Sequence, residues 1–357
     1  MKVLQAEAQY GRVIVKTKEI GLPGPGQVLV EAQYSSISPG TEYNLMAGNI
    51  LRLPQNMGYS MIARIAEVGE GVTDYKVGDL IAATATHASH QILNEYELTP
   101  VPEGIDMEQA AFFILAHTAM YAIRRTEIQL GEPVVVLGQG MVGVLAARLA
   151  KLAGACPVVV TDIDENRLSL AKAMGADYAI NTKSHPCELK RLIDSLNIGG
   201  VPVVIEATGA REALETAFEI IGEQGRVCML STIYSPIDGS PDLKFYDILI
   251  HLTMKGVSFI GAYVNSKPYS LKRYDMRPRE EWTGWPAGLV EKPTRFVSSK
   301  IWSSDEDMRV IFSLIKNGSL DIRPLITHRF DVSQIPQAYE KVWNKDFDLL
   351  GGLICWK

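Results

Sequence analysis

Val134-Val-Val-Leu-Gly-Gln-Gly-Met-Val-Gly143 decides how this chain is to be read. Four apolar, mostly β-branched residues predict a strand buried on both faces, the kind found in parallel sheets. Gly138, Gly140 and Gly143 then predict a tight turn into a helix, which Val144-Leu-Ala-Ala-Arg-Leu-Ala-Lys-Leu-Ala153 continues. The three glycines allow the turn, close backbone approach to a pyrophosphate, and close packing of helix on strand. The helix start would present free N–H groups and partial positive charge to that phosphate. A second apolar strand, Pro157-Val-Val-Val-Thr161, ends at Asp162. An acid about twenty residues past the glycines is placed to accept hydrogen bonds from the adenosine ribose of NAD. The whole pattern is one βαβ unit with a dinucleotide fingerprint.

Working outward, 357 residues are enough for two domains. A hydrophobic fraction of 47%, with 21% charged residues, predicts a globular chain, and the net charge of −6 disfavours nucleic-acid binding. The opening Met1-Lys-Val-Leu-Gln-Ala-Glu is too polar for a signal peptide, and no stretch has the ~20 apolar residues of a membrane span. A cytoplasmic protein with no membrane partner is expected. Cys156, Cys187, Cys228 and Cys355 are scattered, which predicts free thiols rather than a disulfide framework or a four-cysteine zinc site.

Before the fingerprint, short strands are predicted at Val3-Leu4, Arg12–Val15, Gln27–Tyr34, Ser60–Val68 and Asp79–Ala83, separated by glycine and proline turns. Their number and spacing suggest a partly open barrel. One helix is expected over 106–123 with Asp106 as its N-cap. After the fingerprint, strands at 175–181, 201–209, 225–230 and 256–261 alternate with helices, which predicts a parallel sheet covered on both faces. The last segment carries a capped amphipathic helix from Ser303 or Ser304 to Gly318, a second helix over 332–343, and a final strand over 349–354.

Taken together, Glu67-Val-Gly-Glu-Gly-Val-Thr-Asp-Tyr-Lys-Val-Gly-Asp79, Leu98-Thr-Pro-Val-Pro-Glu-Gly104, the coenzyme motif, Pro324-Leu-Ile-Thr-His-Arg-Phe330 and Ile335-Pro-Gln-Ala-Tyr339 resemble the medium-chain dehydrogenase/reductase superfamily. These are the zinc alcohol dehydrogenase-like enzymes. The resemblance implies an α/β fold in which a doubly wound parallel-sheet (Rossmann) domain, 128–264, is inserted between two parts of a GroES-like barrel domain, 1–127 and 265–357. It also implies a homodimer or homotetramer, paired through the sheet edge near 257–264.

The departures from that family bear on the metal. Ser38 stands at the family's cysteine ligand, Tyr59 replaces the histidine of Gly-His-Glu, and Ile114 falls near the third ligand position. Serine, tyrosine and isoleucine do not make a tetrahedral nitrogen/sulfur zinc site. Ser38-Pro-Gly-Thr-Glu42 with Gly58-Tyr-Ser60 resembles a divergent branch that includes bacteriochlorophyllide dehydrogenase-like proteins. Three readings stay open: a displaced zinc site made by Glu42, His90 and His117; metal-free catalysis in which His117 or Tyr59 handles the proton; or histidines, His87 and His90 among them, that merely sit on an exposed loop. The catalytic candidates are Glu42, Tyr59, His117 and Ser38.

The coenzyme candidates are Gly138, Gln139, Gly140, Met141, Val142 and Gly143 at the bend, with Asp162, Ile163 and Arg167 at the ribose. Ala207, Thr208, Leu230 and Ser231 follow by family position at the nicotinamide. Asp162 and Asp164 would repel the extra phosphate of NADP, so NAD is expected, with Arg167 softening that preference. The stretch 265–300, rich in aromatic and basic residues such as Arg279, Trp282 and Trp285, is read either as a substrate lid or as a surface arm. The expected activity is NAD-dependent hydride transfer between the nicotinamide and a secondary alcohol or ketone, of the sugar or polyol kind. The rivals are a zinc-free NADPH quinone or enoyl reductase and a non-catalytic nucleotide-binding protein.

Overall fold

The computed structural model describes residues 1–49, 51–231, 253–262 and 303–356. The 265–300 stretch therefore lies outside the described residues, as do 263 and 264 of the expected pairing edge. The first part of the chain forms β1 (Lys2–Gln9), β2 (Arg12–Glu19), β3 (Gln27–Ile37), α1 (Pro39–Met46), β4 (Gln55–Asn56), β5 (Met61–Val68), β6 (Leu80–Ala83), β7 (His90–Asn94) and β8 (Leu98–Pro100), followed by α2 (Met107–Ala110) and α3 (Phe113–Thr126). The middle forms β9 (Val134–Leu137), α4 (Met141–Leu152), β10 (Val158–Asp162), α5 (Glu165–Ala173), β11 (Tyr178–Asn181), α6 (Glu188–Leu196), β12 (Val201–Glu206), α7 (Arg211–Ile220), β13 (Ile221–Met229) and β14 (Ser258–Gly261). The last part forms α8 (Ser304–Lys316), β15 (His328–Asp331), α9 (Ile335–Trp343) and β16 (Gly352–Cys355).

The middle strands form one six-stranded sheet in the order β11-β10-β9-β12-β13-β14. Every neighbouring pair is parallel. Counted within the sheet this is the order 3-2-1-4-5-6 of the doubly wound dinucleotide fold, with the strand order reversing between β9 and β12. Each of the four β9 residues is buried, as a strand covered on both faces requires. Helix α4 buries Met141, Val144, Leu145, Ala147 and Leu149 by helical periodicity against this layer.

The seven-stranded sheet draws on both chain ends, in the order β15-β16-β3-β5-β6-β8 with β7 paired to β3. Strand β16 lies antiparallel to β3, with Ile354 opposite Ser35 and Cys355 opposite Tyr34. A smaller sheet, β2-β1-β4, stands beside it. Thus residues some three hundred apart in sequence share one core, in which Ile37, Met46, Met57, Tyr339 and Ile354 are all fully buried.

The expected helix over 106–123 is two helices. Asp106 does cap, accepting from Glu108 N–H and Gln109 N–H, but the axis breaks at Ala111 and Phe112. The hydroxyls of Ser36 and Ser60 both donate to the Ala111 carbonyl, at 2.8 and 2.7 Å. That carbonyl is taken up by partners on β3 and just before β5, and the helix restarts beyond it. Ser303, rather than Ser304, caps α8 in a capping box with Glu306. Among the described residues no helix is long and apolar enough to cross a membrane.

Candidate functional site

The carboxyl edge of the six-stranded sheet gathers the coenzyme candidates. Gly138 has φ +88°, and a β-carbon there would stand 2.4 Å from the Thr208 methyl. A β-carbon on Gly143 would stand 1.9 Å from the Gly138 carbonyl oxygen. Both glycines are therefore required by packing within the bend itself. Gly140 differs: it is the N-cap of α4, no side chain caps the helix, and nothing lies within 4 Å of where its β-carbon would be. The open space sits at the positive end of a twelve-residue helix, which suits an anion that needs close backbone approach.

Asp162, at the end of β10, accepts from Gln139 N–H at 2.6 Å, Ile163 N–H at 2.7 Å and Asp164 N–H at 3.0 Å. Its carboxylate thus holds the bend and the start of the next turn in fixed relation. Gln139 is fully buried and donates to the carbonyls of Val136 and Gly138. Ile163 is half exposed beside Asp162. Arg167 goes elsewhere: its guanidinium donates to the Phe347 carbonyl at 3.3 Å and lies 5.1 Å over the Phe347 ring. Its charge is spent on a bridge to the far end of the chain.

Sequence reasoning missed Glu206. This fully buried carboxylate ends β12 and accepts from Thr208 N–H at 2.6 Å, from the Thr208 hydroxyl, from Gly209 N–H at 3.0 Å and from the Ser231 hydroxyl at 2.7 Å. Of the nicotinamide-end candidates, Thr208 and Ser231 are tied together by this one side chain, while Ala207 N–H donates to the Leu137 carbonyl and Leu230 N–H to the Glu206 carbonyl. An acid closing the apolar run Val-Pro-Val-Val-Ile, with no cation in sequence to pair with it, was the available signal.

In the barrel domain, Glu42 on α1 is fully buried. It accepts from Ser38 N–H at 2.9 Å and from the Tyr339 hydroxyl of α9, and His87 Nε2 stands 3.5 Å away. His87 Nδ1 meets the Ser35 hydroxyl at 2.8 Å, and Trp356 Nε1 donates to the same hydroxyl at 2.9 Å. Burial pushes the Tyr339 phenol well above its usual pKa, and the nearby Glu42 and Tyr59 push it the same way. Tyr339 is thus held as a donor. Tyr59 is half-buried, Ser38 is buried on the loop before α1, and His117 is buried on α3.

Two expectations need correction. The displaced zinc set Glu42, His90 and His117 is not assembled: among the described residues no group of three or more His, Cys, Asp or Glu side chains stands together to hold a metal. Glu42 is turned toward α9 and His87, while half-buried His90 lies on β7 opposite Glu31 with its ring nitrogen 3.3 Å from the Ser89 hydroxyl. Nor does His87 sit on an exposed loop; it is fully buried, under Gly58.

The 3-2-1-4-5-6 strand order with a glycine bend opening α4 is the architecture of the dinucleotide-binding domains. Comparison with known proteins makes the assignment narrower. The family "Alcohol dehydrogenase GroES-like domain" matches residues 24–105 and the family "Zinc-binding dehydrogenase" matches residues 142–277. The chain is 26% identical to an L-threonine 3-dehydrogenase of Pyrococcus furiosus, over 92% of this chain and 90% of that protein. It is 25% identical to a sorbitol dehydrogenase of Halalkalibacterium halodurans, over 93% of each. Its fold matches the crystal structure of galactitol-1-phosphate dehydrogenase from Escherichia coli with a TM-score of 0.77 at 19% identity, covering 99% of this chain and 100% of that one. The chain belongs to the medium-chain dehydrogenase/reductase superfamily, the alcohol dehydrogenase-like enzymes.

That family implies two groups, and the side chains fit one of them. The uncapped start of α4, the space at Gly140 and the acid at Asp162 fit a pyridine dinucleotide. Ser38, Tyr59 and Ile114 at the family's ligand positions do not fit zinc.

Proposed function

We propose that the protein is an NAD-dependent dehydrogenase acting on the CH–OH group of a secondary alcohol, of the sugar or polyol class, or on the corresponding ketone. The observation that carries this reading is the Gly140 opening at the start of α4 with Asp162 tied to the bend beside it. When bound, NAD supplies the hydride acceptor; the protein's own groups bind, orient and handle the proton. Backbone N–H groups at 140–143 face the pyrophosphate, and the Asp162 carboxylate accepts from the ribose hydroxyls while repelling a 2′-phosphate. Glu206 fixes the turn at 207–209 and Ser231 at the nicotinamide end. The hydroxyl proton leaves as the hydride does, so an acid–base group must meet that oxygen. Tyr59, His117 and Ser38 are the candidates.

The curated relatives support the CH–OH class, since threonine and sorbitol dehydrogenases are named for such substrates. A reductase of activated C=C bonds is favoured by one observation, the replacement of all three family zinc ligands; Asp162 and Asp164 oppose the NADPH it would use. We also read the protein as a homodimer or homotetramer paired through β14, the edge strand, on which Phe259 is half exposed. The test is calorimetry with NADH and NADPH, followed by turnover of a panel of polyols and sugar alcohols. NADH binding with polyol oxidation is expected; absence of any coenzyme binding overturns the reading.

A further inference from the structure

At or beside each family position that has lost its zinc ligand, the backbone is held by a buried contact, polar at Ser38 and steric at Gly58. Ser38, at the first, gives its N–H to Glu42 at 2.9 Å. Tyr59, at the second, follows Gly58, whose φ is +86° and whose β-carbon would stand 2.4 Å from the His87 ring. The His87 ring fills that space and so sets the backbone from which Tyr59 projects. Ile114, at the third, lies in the first turn of α3, whose start is pinned by the Ser36 and Ser60 hydroxyls on the Ala111 carbonyl. Glu42 accepts from Tyr339, His87 Nε2 approaches Glu42 at 3.5 Å with its ring centroid 6.2 Å from that of Tyr339, and His87 Nδ1 continues through Ser35 to Trp356. Glu42, His87, Ser35 and Tyr339 have no solvent exposure.

We propose that the Glu42–His87–Tyr339 cluster is a metal-free positioning device that fixes Ser38 and Tyr59 for catalysis where relatives use a zinc ion. Glu42, buried with both oxygens engaged, is accordingly a positioning residue and does not touch substrate. A metal fixes its ligands by a few strong bonds from one point. Here the same task falls to a carboxylate that accepts from two elements and to an imidazole wedged under a glycine. Such a network rigidifies only when all members are present. The inference rests on the alcohol-dehydrogenase reading, so its test includes a measurement that needs no turnover.

The experiment uses the full chain as wild type, Tyr339→Phe, Glu42→Ala and Glu42→Gln. The amide oxygen of the last still accepts from Ser38 N–H, and its NH2 can donate to Tyr339 Oη. Hydrogen exchange of backbone amides should show faster exchange at 36–46 and 57–61 in Tyr339→Phe and Glu42→Ala, with no change at 138–143. Glu42→Gln should restore most of that protection. In kinetics, Tyr339→Phe should lower kcat about tenfold or more with coenzyme affinity unchanged, and Glu42→Gln should recover part of the loss. Zinc added alone to the dialysed protein should bind well below one equivalent. One tightly held equivalent, or protection at 36–46 and 57–61 that is unaltered or lost evenly over the whole chain, overturns the inference. So does a kcat that stays at the wild-type level. A wild type that oxidises nothing while those exchange changes appear would instead sink the functional reading and leave the cluster in place as a fixing device.

Discussion

Gly140→Ala separates coenzyme binding from folding at a single atom. The residue has φ −65°, an ordinary angle for alanine, and nothing lies within 4 Å of the added methyl. Alanine is a poorer N-cap than glycine, so the cost to stability is about 1 kcal/mol at most, a shift in Tm of roughly 2–4 °C for a domain of this size. The methyl instead occupies the space through which the backbone meets the pyrophosphate. Loss of close approach to the phosphates should raise the Kd for NADH tenfold or more, which is about 1.4 kcal/mol or above. Gly143→Ala is the contrast. Helix propensity alone would favour alanine there by up to about 1 kcal/mol. Its β-carbon, however, lies 1.9 Å from the Gly138 carbonyl oxygen, against the 3.4 Å at which ordinary contact begins. The bend must open by more than an ångström, so stability and affinity should fall together. Calorimetric titration with NADH and thermal unfolding of both variants check this. A Gly140→Ala protein that binds NADH as tightly as wild type refutes the placement of the phosphates.

Asp162→Ala should weaken NADH binding at least tenfold, because three backbone N–H groups lose their acceptor along with the ribose; fluorescence titration measures it. His117→Ala should abolish turnover with NADH affinity intact, and an active variant would remove His117 from the acid–base role. Burial pushes the Cys228 thiol from 9.0 up to about 12. The folded state therefore holds its proton where the unfolded chain releases it, so stability is full below pH 9 and declines from there toward pH 12. By pH 10.5 about 2 kcal/mol should be lost on this account, and the fall in Tm between pH 8 and 10.5 should be smaller in Cys228→Ala. Phe259→Asp should convert the assembly to monomers by light scattering.

What the chain disclosed in advance was local chemistry. The bend at 138–143 and the cap at Asp106 follow from residues within a few positions of one another, and Asp162 follows from one fixed spacing within a single βαβ unit; the structure places Asp162 against that bend. What stayed hidden depended on partners far off in sequence. Nothing near Ala111 announces a helix break, since its cause is two hydroxyls from residues 36 and 60. His87 resembles a loop histidine until Gly58 is placed over it and Tyr339, 297 residues from Glu42, is brought alongside. Glu42, His90 and His117 lie near the family's ligand positions in sequence yet are not brought together in space, because helix α9 supplies Glu42 with a partner that sequence position does not reveal. The Phe347 contact of Arg167 is likewise beyond what its neighbours in sequence reveal.

Strand β16 slots between β15 and β3, so the sheet begun by residue 27 has its gap closed only by residues 352–355. At about 5–20 residues per second, a ribosome needs roughly 15 to 60 seconds to travel that interval. For most of it, Glu42 awaits the Tyr339 phenol, and for all of it Ser35 awaits the Trp356 indole. The parallel sheet between residues 134 and 261 needs none of these late residues, whereas the barrel core around Glu42 closes only once residues 339–356 have been made.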